Sequence, residues 1–255
     1  MLREILTVDV FKLLLIVARL GTAIMFTPGL GGALMSTRVR LLLSVLLGFV
    51  LMPVLNPMLP AMPVDPVGMT MLLLGEVTVG LFFGILMQIL IAPIDLAGSF
   101  ISFATGLSNA LVADTISAEQ TPVVTTFLNN IALTLFLMTD THHLLLRALV
   151  DSYGLFQPGA ALPMGDFSQT LIRVTGESFS IAMRLAAPLV VFALVFNVAL
   201  GLLNKLVPQM QVFFVGTPLQ LLIGLSVLMI ALAPMMMIFV RYLSEGMAPF
   251  LSSGG

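Results

Sequence analysis

The stretch that decides the fold is NVALGLLNKLVPQMQVFFVGTPLQLLIGL, residues 197–225. Two apolar runs, 179–204 and 206–240, meet inside it around a short polar break. A helix needs about 20 apolar residues to cross the hydrocarbon core of a bilayer, and each run is at least that long. Because Leu, Ala, Met and Phe dominate both runs, they favour helix over strand. The stretch therefore predicts two long apolar helices that follow one another.

The same pattern extends through the rest of the chain. Further apolar stretches cover 10–28, 39–55, 67–94 and 120–139. Of the 255 residues, 59% are hydrophobic and only 9% are charged, whereas a soluble domain carries about 25% charged residues. A net charge of −2 argues against nucleic acid as a partner, and the lack of cysteine excludes disulfides and thiolate chemistry. The composition predicts an all-α membrane protein.

Two features argue against a simple bundle of straight spans. Positive charges in short loops should mark one side of the membrane, yet Arg38 and Arg40 fall on the side opposite to Arg147 and Arg173 when the spans alternate. Proline also removes a helical hydrogen bond and kinks or breaks a helix. Prolines interrupt the apolar runs at Pro53, Pro188, Pro208, Pro218 and Pro234.

Three charged side chains stand inside the apolar runs: Arg19, Glu76 and Arg184. A charge at membrane depth is costly and needs a partner or a water-filled cavity. Two interpretations remain open, an ion pair between helices or subunits and a proton relay, and the ion pair is favoured because only one acid is available. The relay would make the chain a small secondary membrane transporter that uses Glu76 and Arg184 beside broken helices.

The only two histidines are adjacent, His142 and His143. Neighbouring residues of a helix point about 100° apart, so we expect these side chains to diverge and not to share one ion. A catalytic zinc takes three protein ligands, and no H-E-x-x-H spacing is present. We therefore predict no metal, no cofactor and no catalytic residue, which also disfavours an intramembrane hydrolase built on the histidine pair.

The segment around the histidines predicts a short helix instead. Asp140 or Thr141 can cap its N-terminus. Asp140 and His143 would share one face, and Arg147 would form an i,i+4 pair with Asp151. The histidines are thus interpreted as structural.

Two packing motifs are weak when taken alone. GLFFG, residues 80–84, places small residues four apart, which lets helices approach closely, although a chance match is equally plausible. PMMMIF, residues 234–239, suits either a deformable seal or ordinary core packing, since Met adapts its shape.

Taken together, several stretches resemble one family in order along nearly the whole chain: ARLGTAIMFTPGLGGALMSTRVRLLLSVLLGFVLMP (18–53), GEVTVGLFFGILMQ (75–88), DTHHLLLRALVDS (140–152) and the opening stretch at 197–225. They resemble the FliR/SctT family of type III secretion export-gate subunits, which contains the flagellar FliR proteins and their virulence relatives. The stretch at 197–225 is the most specific.

The resemblance implies a role without covalent chemistry. It implies a subunit of the flagellar export gate in the bacterial inner membrane and flagellar basal body, with the assembled gate largely above the bilayer plane. The implied partners are FliP, FliQ and FlhB, membrane lipid, and the unfolded rod, hook and filament proteins in transit. The implied fold is a set of kinked helical hairpins, with a FliP-like part at 1–172 fused to a FliQ-like hairpin at 173–255.

The resemblance also implies roles for particular residues. A plug loop at 106–122 is expected to close the channel with Gly106, Leu107, Ser108, Asn109, Leu111, Val112, Ile116 and Pro122. The turn of the C-terminal hairpin is expected at Asn204, Lys205, Pro208, Gln209, Gly216 and Pro218. Arg19, Glu76 and Arg184 are expected to determine assembly. Gln220 departs from the Lys or Thr that relatives often carry at its position.

Overall fold

The computed structural model describes residues 2–27, 35–107, 111–113, 120–206 and 212–251. Seven α-helices lie in these ranges: α1 (Leu2–Phe26), α2 (Thr37–Leu55), α3 (Pro66–Thr105), α4 (Val123–Met138), α5 (Thr141–Leu155), α6 (Met164–Leu206) and α7 (Val212–Met247). Short 3-10 turns follow α2 at Asn56–Met58 and α7 at Ala248–Phe250. The prediction of an all-α membrane protein is confirmed.

Helices α3 and α6 are longer than the apolar runs that predicted them. α3 continues beyond the predicted end at residue 94 to Thr105. Pro93 lies inside this helix and does not end it. α6 begins at Met164, before the predicted start at residue 179. The apolar pattern missed its first turns because they carry charged side chains and are amphipathic. Several prolines predicted to interrupt the apolar runs lie inside helices that continue past them: Pro53, Pro188, Pro218 and Pro234.

The segment predicted as a loop at 106–122 contains a small antiparallel ribbon. Strand β1 (Leu111–Ala113) pairs with strand β2 (Gln120–Pro122), so that Val112 lies opposite Thr121. The chain enters this segment from α3 through Gly106, whose φ of +78° is a conformation that glycine adopts without strain. It leaves directly into α4. Six residues of the segment expected as a loop are therefore paired in strands, and its role as a plug stays a prediction.

The chain forms two compact units. The first comprises Met1–Leu90, Asp140–Val174 and Ser244–Gly255, and the second comprises Ile91–Thr139 and Thr175–Leu243. Helices α3, α6 and α7 each contribute residues to both units. The predicted division at residues 172 and 173 does not separate these units, because the chain on either side of it contributes to both.

In the first unit, the GLFFG motif packs α3 closely against α1. A methyl group added at Gly80 would lie 2.3 Å from the backbone oxygen of Arg19, and one added at Gly84 would lie 2.5 Å from Cβ of Phe26. Only glycine permits such an approach. The packing interpretation of this motif is confirmed.

An aromatic cluster forms part of the core of the same unit. The rings of Phe82 and Phe167 stack with their centroids 4.2 Å apart. Phe250, from the C-terminal 3-10 turn, meets Phe83 edge to face at 5.2 Å. Such aromatic geometries add stabilisation beyond the area that the rings bury, so the cluster joins three distant parts of the chain.

The second unit also depends on close approaches at glycines. A methyl group at Gly98 in α3 would lie 2.6 Å from Cα of Thr125 in α4. One at Gly216 in α7 would lie 2.6 Å from Cδ2 of Leu200 in α6. These contacts bring α3 against α4 and α6 against α7.

Long apolar helices dominate the described residues. Four stretches are long and apolar enough to cross a membrane: Thr37–Met58, Pro66–Thr105, Met164–Leu206 and Gly216–Phe250. Helices α4 and α5 meet at a bend of 64° and together make a fifth candidate span. Large apolar side chains remain exposed along these helices, among them Val50, Val191 and Ile230.

Candidate functional site

The centre of the first unit is an ion pair between Arg19 of α1 and Glu76 of α3. Arg19 Nε donates to Glu76 Oε2 at 2.7 Å, and Nη2 donates to Oε1 at 2.9 Å. The two side chains are only 1% and 2% exposed. This two-pronged geometry is the strongest form of a carboxylate–guanidinium contact. Of the two interpretations left open by the sequence, the structure forms the ion pair.

The rest of the Arg19 guanidinium binds α5 and the residue after it. Nη1 donates to Oγ of Ser152 at 3.0 Å, and Nη2 also donates to the backbone oxygen of Phe156 at 2.9 Å. The guanidinium carbon lies 3.8 Å from the centre of the Tyr153 ring, a cation–π contact. One side chain therefore joins α1, α3 and α5. An arginine suits this place because its planar head can form a fork and stack at once.

A cavity of about 720 Å³ lies beside the ion pair within the first unit. Its walls are mainly small or aliphatic side chains from the first turns of α3 and from the segment after α5, including Met71, Leu72 and Leu162. Both carboxylate oxygens of Glu76 already accept hydrogen bonds from Arg19. The pair is thus arranged to hold helices together and not to present a vacant charge to the cavity.

Arg184, the third predicted assembly residue, lies apart from any such arrangement. It is exposed on α6 in the second unit. Within the ranges that the structure describes, it forms no ion pair. Its neighbours Met183 and Val191 are also exposed, so this charge stands on an apolar helix surface.

The histidine pair has a geometry that differs from the prediction. The ring centroids of His142 and His143 are 4.1 Å apart, and their ligand atoms, with those of Asp140, all lie within 4.8 Å of one another. The expectation that the two rings diverge was wrong, because rotation about the side-chain bonds brings them together although their Cα–Cβ bonds point apart. That the chain holds no metal there stays a prediction.

The start of α5 agrees only in part with the prediction. Asp140 occupies the N-cap position, but its φ of +55° is left-handed and its side chain does not cap the helix. The carboxylate instead contacts Nδ1 of His143 at 3.2 Å. The pair of Arg147 and Asp151 is present at 3.8 Å. The short helix and both side-chain pairs are confirmed, whereas the side-chain cap is not.

The residues predicted for the hairpin turn lie mostly in helices. Asn204 and Lys205 belong to the last turn of α6. The negative end of the helix dipole stabilises the positive charge of Lys205 there. Gly216 and Pro218 lie inside α7. These four residues therefore lie in helices on either side of the break, and the assignment of the turn stays a prediction. Pro208 and Gln209 lie outside the described residues.

The predicted plug residues are described only in part. Gly106 and Leu107 follow α3, Leu111 and Val112 lie in β1, and Pro122 ends β2. The others lie outside the described residues: Ser108, Asn109 and Ile116.

Three polar contacts could not be predicted from the sequence. Ser152 and Phe156 bind Arg19 although nothing in the segment marks them as its partners. Gln220 of α7 donates to the backbone oxygen of Ala104 in α3. The departure of Gln220 from the residues usual in the resembled family was the one available signal.

Several apolar helices of membrane-spanning length, with a buried ion pair in the first unit, define this chain as an all-α membrane protein. This chain belongs to the bacterial export proteins, family 1, whose profile matches residues 10–246. The family resemblance inferred from the sequence is confirmed.

Three similar proteins share the name flagellar biosynthetic protein FliR. The flagellar biosynthetic protein FliR of Caulobacter vibrioides is 34% identical over 231 residues, which cover 91% of this chain and 92% of that protein. The FliR of Escherichia coli is 32% identical over 235 residues, covering 91% and 87%. The FliR of Bacillus subtilis is 33% identical over 177 residues, covering 68% of each.

Proposed function

We propose that this chain is a subunit of the flagellar type III protein export gate in the bacterial inner membrane, at the flagellar basal body. With FliP and FliQ, and joined by FlhB, it forms the channel for unfolded rod, hook and filament proteins. The observation that carries the proposal is the match of residues 10–246 to an export family, together with the near full-length similarity to flagellar FliR proteins.

Exposed apolar surfaces support assembly with other subunits. Val50 of α2 is 71% exposed, and Phe214 and Ile230 of α7 are 79% and 80% exposed. Apolar patches of this kind mark contacts with lipid or with other proteins. In the proposed gate, helices of FliP and FliQ cover part of this surface and lipid covers the remainder.

The lengths of the helices support a gate that rises above the bilayer. Helix α6 has 43 residues, which at about 1.5 Å per residue is about 65 Å along its axis. The hydrocarbon core is only about 30 Å thick. Much of such a helix must therefore lie outside the core, and its charged first turns suit that position.

The two-part architecture remains within this proposal. Residues 1–172 would act as a FliP-like part and residues 173–255 as a FliQ-like hairpin. The close contact of Gly216 in α7 with Leu200 in α6 supports a hairpin, because it brings two successive long helices together within the second unit.

The segment at 106–122 is proposed as the plug of this channel. It joins α3 to α4, and its two strands return the chain over a short distance. Its sequence is rich in small and aliphatic residues. An apolar constriction holds back water and ions by dewetting, so such a segment could seal a pore that no substrate occupies.

The plug is tested by deleting part of residues 109–119 while the complex stays assembled. We expect cells that carry the deletion to leak small ions or solutes through the gate. Gly75→Ala is a suitable control, because a methyl group there meets no atom within 4 Å. An assembled deletion variant with unchanged permeability would contradict the plug.

Assembly is tested by sizing the detergent-extracted protein. The gate predicts a large hetero-complex that contains FliP and FliQ, whereas a secondary transporter predicts a small homogeneous oligomer. No observation favours the transporter, since Glu76, the acid it would use, is saturated by Arg19. A homogeneous small oligomer would nevertheless overturn the gate proposal.

A further inference from the structure

The end of α3 is held by a side chain from α7. Gln220 Nε2 donates to the backbone oxygen of Ala104 at 2.9 Å, in a half-buried position within the second unit. Ala104 is in the last turn of α3. The last four carbonyl groups of a helix have no partner in the helix itself. Gln220 supplies one of these carbonyls with a donor from a different helix.

A glycine one turn after Gln220 brings α7 close to the end of α3. Gly216, Gln220 and Gly224 are spaced four apart and so share one face of α7. A methyl group at Gly224 would lie 3.1 Å from Cγ2 of Thr105. Because α7 comes this close to the end of α3, the amide of Gln220 reaches the carbonyl without a bridging water.

The contact lies where the chain leaves α3. Thr105 is buried and donates to the backbone oxygen of Ile101 at 2.8 Å. The next residue, Gly106, is exposed, has a left-handed φ of +78° and donates to the backbone oxygen of Phe103 at 3.3 Å. The last turn of α3 is therefore fixed by α7, and the change of direction begins one residue later.

We propose that Gln220 is a positioning residue. Its amide fixes the last turn of α3 and so determines where the segment at 106–122 departs from that helix. The consequence for gating rests on the proposed plug. The contact itself does not depend on the plug, nor does the effect that loss of the contact would have on access to the neighbouring Leu107.

The chemistry predicts how substitutions rank. Gln220→Leu keeps most of the side-chain volume but removes the donor. Gln220→Lys keeps a donor and brings a cation to the negative end of the α3 dipole. Gln220→Glu replaces the donor by a carboxylate that faces a carbonyl oxygen at the same negative end. Gln and Lys should therefore hold the turn, Leu should release it, and Glu should release it most.

A second glutamine offers a matched control. Gln88 Nε2 donates to the backbone oxygen of Phe26 at 3.0 Å, again from one helix to the last residue of another. This contact lies in the first unit. Gln88→Leu removes the same kind of hydrogen bond at a helix end that does not lead to the ribbon.

The test measures access to one thiol next to the contact. The chain has no cysteine, so Leu107→Cys creates the only thiol of this chain, and labelling of this chain is followed in the purified, assembled hetero-complex. We expect Gln220→Leu to raise the rate of maleimide labelling there several-fold, Gln220→Lys to restore the slow rate, and Gln88→Leu to leave it unchanged. An unchanged rate in Gln220→Leu, or an equal rise in Gln88→Leu, would overturn the inference.

Labelling rates and cell permeability together distinguish the positioning role of Gln220 from the proposed plug. If Gln220→Leu is not recovered as a complex, the Glu and Lys variants are compared, and equal labelling rates for these two overturn the positioning role. Faster labelling without added permeability of the cells supports the positioning role and contradicts the plug. A leak on deletion of 109–119, with unchanged labelling in Gln220→Leu, supports the plug and overturns the positioning role.

Discussion

Arg19 is the residue on which the first unit depends most. Its guanidinium is almost fully buried and makes four hydrogen bonds, two to Glu76, one to Ser152 and one to the backbone of Phe156. A buried charge is tolerated only when it is paired and hydrogen-bonded. Removal of either partner leaves the other charge buried without its counterion, which is worse than the absence of both.

We therefore expect Glu76→Ala to lower the free energy of unfolding by about 3–5 kcal/mol and to reduce recovery of the complex. The double change Arg19→Met with Glu76→Leu should be less damaging than Glu76→Ala alone, because no charge is stranded. Arg19→Lys should also destabilise, since a lysine cannot form the fork and stack on Tyr153 together. Denaturant unfolding of the purified variants measures these differences, and effects that simply add would contradict the coupling.

The need of Arg19 for a charged partner could be predicted from the sequence, but the residues that bind it could not. A charge inside an apolar run is costly, which marked Arg19, Glu76 and Arg184 as residues that need partners. The partners of Arg19 depend on the fold, since Glu76 and Ser152 lie 57 and 133 positions away along the chain. The prediction for the two histidines failed for a similar reason. The directions of their Cα–Cβ bonds could be predicted from helix geometry, but the rotations of their side chains could not.

Among the elements, the contact of α1 with α3 provides the sharpest test. The backbone oxygen of Arg19 leaves no room for a methyl group at Gly80, so Gly80→Ala must push the helices apart. We expect a loss of about 1–3 kcal/mol in the free energy of unfolding, as for other overpacked sites.

Gly75 is the matched control on the same helix. A methyl group there meets no atom within 4 Å, and alanine favours helix over glycine by about 1 kcal/mol. Gly75→Ala should therefore be neutral or stabilising under the same unfolding assay. Equal losses at Gly75 and Gly80 would contradict close packing of α1 against α3 as the cause of the loss at Gly80.

The sequence predicted where most helices lie, but not how far α3 and α6 extend. Helix α2 was predicted at 39–55 and spans Thr37–Leu55. The end of α3 was missed because Asp95 and the serines after it interrupt the apolar pattern, although the helix continues to Thr105. The contact of Gly98 with Thr125 of α4 supports that last part, and a local pattern cannot reveal such a contact.

For the whole molecule, the exposed charge on α6 predicts a contact with another subunit. Arg184 is exposed among apolar side chains such as Met183 and Val191, and it needs a partner once a neighbouring subunit covers that surface. We expect Arg184→Ala to reduce recovery of the hetero-complex but to leave the unfolding of the isolated chain nearly unchanged. Co-purification with FliP and FliQ measures the first quantity.

Arg173 is the control for this prediction. It is an exposed arginine of the same helix, close to the polar side chains Asp166 and Gln169, so Arg173→Ala should assemble normally. Normal recovery of Arg184→Ala with lost export would contradict an assembly role and favour a proton relay.

The grouping of the chain into compact units could not be predicted. The resemblance implies a division at residues 172 and 173, which stays a prediction. The compact units combine distant segments, and α3, α6 and α7 each contribute to both. Composition changes along a chain can mark a linker, but they cannot reveal such a grouping of distant segments.

The aromatic cluster imposes an order on biosynthesis. Phe82 and Phe83 leave the ribosome long before Phe250, their edge-to-face neighbour. Domains usually fold in the order of their synthesis, but the first unit cannot complete its core until Phe250 has been translated. Until then part of its aromatic surface stays open. The nascent chain must therefore depend on the insertion machinery, on chaperones or on early partners while the residues between Phe83 and Phe250 are translated.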